Sequence, residues 1–95
     1  MNTAPRVTQG QLEENIEHIE IVKHVSKSGQ VLRWAVITTK NGFAVTGDPS
    51  CAVSPENDNA EMGEKIARDK AIDKLWMLMG YALKEDLYRQ TLPRP

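Results

Sequence analysis

The stretch VLRWAVITTKNGFAVTG, Val31 to Gly47, decides the fold. Val31 to Thr39 is rich in β-branched and aromatic residues and holds neither glycine nor proline, the composition of a strand. After Lys40 comes Asn41-Gly42, a two-residue hairpin signal because both positions tolerate positive φ. The chain is expected to turn back there into FAVTG, with Phe43 and Val45 on one face of the return strand and Ala44 and Thr46 on the other.

Working outward toward the N-terminus, HIEIVKHV (His18 to Val25) alternates Ile19 and Ile21 against polar neighbours, and SKSG (Ser26 to Gly29) reads as a turn. The three segments predict an antiparallel meander of about three strands. Thr8 and Gln11 have capping-box spacing and Leu12 and Ile16 recur four apart, so a short helix of roughly two or three turns is expected to begin near Gln9.

Toward the C-terminus, Gly47, Asp48 and Pro49 end the meander, and a long connection runs to Asp58. Asp58 and Glu61 repeat the capping-box spacing, which predicts the main helix from near Asn59 to Met79, ended by Gly80. LKEDLYRQ, with Leu83 and Leu87 four apart, suggests a separate short helix. Residues 1–7 and 91–95 read as loose termini around a single α+β domain spanning 1–95, an antiparallel meander packed on one long C-terminal helix.

Charged residues are 26% of the 95, with a formal net charge of −1. Such balance offers no broad positive field for long nucleic acid or an anionic membrane, although a few placed cations suffice for one or two phosphates. LWMLMGYAL (Leu75 to Leu83) is too short to span a bilayer, and no basic segment followed by an apolar one opens the chain, so a cytosolic protein is expected. Cys51, the single cysteine, excludes an internal disulfide and reads as a small core residue.

On the main helix, Gly63, Ala67, Ala71, Leu75 and Leu78 fall in one sector, a seam of small residues widening into leucines. A second sector holds Met62, Ile66, Ile72, Trp76 and Met79. Either the N-terminal helix and tail cover this second side or another copy of the chain does; the pattern favours a homo-oligomer. Lys65, Arg68 and Asp69 stand beside it as neighbours three and four apart. By pattern alone they read as an exposed intrahelical ion pair rather than a site.

No dinucleotide-binding glycine motif, Walker loop, zinc-protease helix or nucleophile elbow occurs. His18 and His24 share a strand face too far apart for direct contact, and no acidic pair is marked out for acid–base work, so an enzyme is not expected and neither a cofactor nor a metal is implied. A binding module needs less. Arg68 and Lys65 can hold phosphate, Phe43 or Trp34 can stack a base, and Asn57 or Asp69 can meet ribose hydroxyls.

The order of motifs adds to this. Asn41-Gly42-Phe43, Val45-Thr46-Gly47, Cys51, Pro55-Glu56-Asn57, Gly63, Ile66-Ala67, Leu75-Trp76 and Gly80-Tyr81 follow one another between Lys40 and Leu87. That order resembles the phage protein family named for gene forty-nine of a coliphage and gene sixty-six of a Shigella phage. The family is similar to the type-one anti-Thoeris proteins of phages. Those bind cyclic ADP-ribose isomers made by bacterial TIR-domain defence proteins, and some also bind cyclic oligonucleotides of the CBASS pathway, without cleaving them.

The resemblance implies a sheet packed on a long helix, assembly into dimers or higher oligomers, and ligand pockets at subunit interfaces. Carried onto this chain, it assigns ligand binding to Arg68 and Asp69, with Lys65 one turn before, and to Phe43 and Asn57 from a neighbouring copy. Ile72 departs from it, standing four after Arg68 where a second basic residue would complete a diphosphate clamp. Arg33 is a further cation without an assigned place. The expected function is therefore sequestration of a cyclic nucleotide immune signal in the cytoplasm of an infected bacterium. The alternative is an accessory protein that binds a host protein through the apolar helix face and takes no small ligand.

Overall fold

The computed structural model describes residues 4–93. The expectation of loose termini falls in part on residues 1–3 and 94–95, which lie outside the described residues. In chain order the elements are α1 (Gln9–Glu14), β1 (Ile16–Val25), β2 (Val31–Thr39), β3 (Ala44–Thr46), β4 (Ser50–Cys51), a single 3-10 turn (Pro55–Asn57) and α2 (Ala60–Gln90). The architecture is the expected α+β one.

β2 is the centre of the sheet. β1 pairs antiparallel along one edge, with Ile19 opposite Ile37, Ile21 opposite Ala35 and Val25 opposite Val31. β3 pairs with the C-terminal end of β2's other edge and β4 with the N-terminal end, Leu32 opposite Cys51 and Arg33 opposite Ser50. β1 begins at Ile16, earlier than expected, and an irregularity between Ile16 and His18 absorbs the extra residue.

The hairpin loop is longer than the two residues expected. Gly42 alone has positive φ, at 88°, and its N–H donates to the Thr39 carbonyl, while the Thr39 N–H donates to the Phe43 carbonyl. The loop is thus Lys40, Asn41 and Gly42, a turn closed by a glycine in the left-handed region. Asn41 stays at negative φ and its Oδ1 accepts from the Thr39 hydroxyl at 2.6 Å and the Phe43 N–H at 3.0 Å.

Strict alternation along β2 buries Val31, Arg33, Ala35, Ile37 and Thr39 against α2 and turns Leu32, Trp34, Val36 and Thr38 to the other face. Leu12 from α1, Ala35 and Ile37 from β2, and Ala67, Ala71 and Leu75 from α2 form the core. The backbones of Gly47 and α2 come close at Ala71: a Cβ on Gly47 would lie 2.4 Å from the Ala71 nitrogen.

Several expectations are corrected. α2 does not end at Gly80 but runs 31 residues to Gln90, where Thr91 caps it by donating to the Tyr88 carbonyl at 2.6 Å. The separate short helix around Leu83 and Leu87 is therefore its last turns, since residues 81–90 hold no proline and the cost of one interior glycine, about 1 kcal/mol, is outweighed. The N-cap is Asn59, whose Oδ1 accepts from the Met62 N–H at 3.0 Å, because Asp58 is engaged elsewhere. Cys51 is exposed, facing away from the helix next to buried Ser50.

A further correction concerns the two apolar sectors. Ile72, Trp76 and Met79 pack onto the core together with Ile16, Ile19 and Ile21, so β1 and α1 cover much of the second side. Leu78, expected in the core seam, is instead exposed together with Met77, Tyr81 and Tyr88. Met77, Tyr81 and Tyr88 lie toward the far side of α2 from Leu75, whereas Leu78 borders the same cleft as Leu75 and Phe43. At 1.5 Å per residue α2 is about 46 Å long, whereas β2 reaches about 30 Å, so the helix outruns its sheet.

Candidate functional site

Arg33 sits where β2's alternation demands an apolar residue, and it is 5% exposed. A buried guanidinium needs a partner. Asp58 supplies it in fork geometry, Nη1 to Oδ1 at 2.5 Å and Nη2 to Oδ2 at 2.9 Å. Room for the guanidinium comes from Gly63 on the first turn of α2, where a Cβ would stand 3.1 Å from Nη1. Ser50 Oγ closes the arrangement by donating to the Gly63 carbonyl at 2.9 Å.

The pair ties the connection after β4 to the central strand β2. The Arg33 hydrogen bonds hold the Asp58 carboxyl below the usual carboxylate range, against a desolvation that works the other way, and Asp58 in turn raises Arg33. Around them lies a cavity of about 110 Å³, with Asn57, Asp58 and Asn59 on its polar side and Met62 and Ile66 on its apolar side.

Next to the cavity, and sharing Asn59 and Met62 with it, is an open surface step formed by Glu61, Lys65 and Arg68. Lys65 Nζ pairs with Asp69 at 2.9 Å and Arg68 Nη2 with Glu64 at 3.5 Å. Both pairs are exposed and one helical turn apart, worth a few tenths of a kcal/mol each. The carboxylate of Asp69 is thus spent on Lys65, while both cations remain open to water.

Asn57 occupies the 3-10 turn, and its carboxamide bonds to nothing among the described residues. Of the residues expected at the site, Asn57 lines the cavity, Lys65 and Arg68 line the adjoining step, and Asp69 lines neither and meets them through its pair with Lys65. Phe43, 59% exposed, stands at the opposite end of β2 in a shallow cleft with Asn41, Leu75 and Met79. The offset from Arg33 to Thr39 alone is about 20 Å of strand, so Phe43 does not reach the cluster within one chain.

Trp34 and the histidines His18 and His24 lie on the sheet face turned from α2. Among the described residues no group of His, Cys, Asp or Glu is arranged to hold a metal ion. The residue that sequence reasoning left without a place, Arg33, is the one that organises the cavity. The signal was its position in the VLRWAVITT alternation, a cation in a buried row.

With this geometry in view, the chain belongs to the phage protein (N4 Gp49/phage Sf6 gene 66) family, whose model matches residues 7–87. The match takes in α1, the whole sheet, the cavity and most of α2. The chain matches no curated protein and no solved structure. Among the described residues no helix is long and apolar enough to cross a membrane.

Proposed function

We propose that this phage protein is an anti-defence factor that captures cyclic nucleotide immune signals, cyclic ADP-ribose isomers first and cyclic oligonucleotides second, in the cytoplasm of the infected bacterium. The observation that carries the reading is the continuity of the Lys65–Arg68 step with the asparagine-lined cavity through Asn59 and Met62. A phosphate on the step replaces two weak exposed ion pairs with charge-assisted hydrogen bonds, a favourable exchange. Capture is stoichiometric and involves no bond cleavage.

An open step holds a ligand poorly, because affinity in the nanomolar range, about −12 kcal/mol, requires enclosure and base stacking. A second copy supplies both in this reading. Its Phe43, too remote within one chain, provides the stacking face, and the exposed Met77, Leu78, Tyr81 and Tyr88 provide apolar surface for assembly.

Calorimetry with cyclic ADP-ribose isomers and cyclic di- and trinucleotides tests the reading, together with recovery of the ligand from heat-denatured complex. Tight binding and an intact ligand support it; no heat from any member of the panel rejects it, and an altered ligand replaces sequestration with catalysis. The same exposed helix face favours a second reading, a host-protein partner with no small ligand. Retention of one stoichiometric host protein, lost on Tyr81→Glu, together with a silent panel, selects that reading instead.

A further inference from the structure

We infer that the cavity at the start of α2 is a sugar subsite, taking a ribose ring, while the Lys65–Arg68 step takes the phosphate attached to it. The inference deepens the sequestration reading and rests on it for the identity of the complete ligand. Volume decides the division of labour. About 110 Å³ is well below the roughly 300–1,000 Å³ that encloses a drug-sized molecule, so the cavity admits one fragment and the remainder lies outside.

Charge decides which fragment. Asp58 presents an ionised carboxylate to the cavity, with its side chain 20% exposed. Each of its oxygens accepts one bond from Arg33 and keeps further acceptor capacity. Paired with Arg33, which also lines the cavity, the carboxylate leaves it nearly neutral and without a cation free for phosphate, and its remaining lone pairs accept from hydroxyl groups. A vicinal diol supplies two such donors at the spacing of the two oxygens. The carboxamide of Asn57 is unbonded among the described residues, and Asn59 uses its Oδ1 as the helix cap, leaving its NH₂ as donor. Met62 and Ile66 offer the opposite wall to the C–H face of the ring.

The neighbouring step has the complementary preference. Lys65 and Arg68, each more exposed than the carboxylate it pairs with, offer phosphate the cations that the cavity lacks, and Asn59 and Met62 border both compartments. A ribosyl phosphate therefore has one orientation, hydroxyls inward on Asp58 and phosphate outward on the cations. Arg33, its guanidinium committed to Asp58, acts as a positioning residue that aims the carboxylate.

The test is a titration of the full chain, followed by amide nuclear magnetic resonance, with ribose 5-phosphate, 2-deoxyribose 5-phosphate and inorganic phosphate. Inorganic phosphate is expected to move Lys65 and Arg68 alone, and ribose 5-phosphate to move Asn57, Asp58 and Met62 as well. Loss of the 2-hydroxyl is expected to weaken binding about fivefold. Asn57→Ala, an exposed change without a fold cost, is expected to weaken ribose 5-phosphate about tenfold while leaving inorganic phosphate unaffected. Identical shift patterns for ribose 5-phosphate and inorganic phosphate overturn the inference. So does tight binding of a cyclic nucleotide that is indifferent to Asn57→Ala, an outcome that leaves sequestration intact. Ribose-dependent shifts with a silent cyclic panel keep the subsite and reject sequestration.

Discussion

Gly47 and Ala71 meet backbone to backbone: a Cβ added to Gly47 would lie 2.4 Å from the Ala71 nitrogen and 2.5 Å from the Lys70 carbonyl carbon. Helical backbone cannot rotate away as a side chain can. Gly47→Ala is therefore expected to lower stability by about 3 kcal/mol, the upper end for overpacking. Gly80 is the contrast, inside α2 with no atom within 4 Å of an added Cβ. Gly80→Ala is expected to raise stability by about 0.5–1 kcal/mol. Urea unfolding of the two variants checks the pair, and a neutral Gly47→Ala would remove the close approach.

Leu75 is fully buried where Ala35, Ile37 and Ala71 converge. Leu75→Ala is expected to cost about 2–5 kcal/mol, enough to unfold much of a marginal 95-residue chain at room temperature. Circular dichroism melting reads the loss directly.

Asp58 titrates below the usual carboxylate range because Arg33 bonds its charged form. A carboxyl whose folded value lies below its unfolded value stabilises the fold above the unfolded one, about pH 4, and loses that contribution as pH falls through the folded value. Arg33, raised by the same contact, stays charged across the accessible range. The stability of the native chain is expected to fall more steeply below about pH 4 than that of Asp58→Asn. Parallel pH profiles for the two proteins would contradict the assignment.

Lys65→Ala and Arg68→Ala remove only exposed pairs, so each is expected to change stability by no more than about 0.5 kcal/mol. Affinity for a cyclic nucleotide is expected to fall about tenfold or more for each, since a charge-assisted bond to phosphate is lost. Unfolding and calorimetry on the same preparations separate the two effects.

Tyr81 is 70% exposed on the side of α2 away from the sheet. Tyr81→Glu is expected to leave the melting profile of the isolated fold intact and to shift light-scattering mass toward a single chain. An unchanged mass in both proteins places any self-association elsewhere.

The meander and the long helix were legible because their signals are local. Alternation in VLRWAVITT and the turn at Gly42 each lie within a few residues, and β2 matches the expected range. What was illegible depends on residues far apart in the chain. Arg33 and Asp58 are 25 positions apart, and only the register of β4 against β2 shows that the connection returns there. Asp58 has capping-box spacing to Glu61, but its stronger partner wins and Asn59 caps instead. Gly80 looked like a stop because glycine often is one, yet the positive φ of such a cap is absent there.

Asn57, Lys65 and Arg68 were reachable from sequence as an inventory of ligand-binding types. Their arrangement was not, since the shared wall of cavity and step depends on how α2 leaves the 3-10 turn. Phe43 shows the same limit from the other direction. It was expected within the return strand beside Val45, but β3 begins at Ala44 and leaves Phe43 exposed in the loop before it, and the length of β2 then separates it from the cluster.

Cys51 borders the cavity, is exposed, and has no second thiol in the chain to compete with it. The native protein thus carries its own attachment point for a single fluorophore at the rim of the cavity that Asp58 and Asn57 also line. A dye coupled there would convert occupancy of the cavity into an optical signal without any engineered residue, turning the protein into its own sensor.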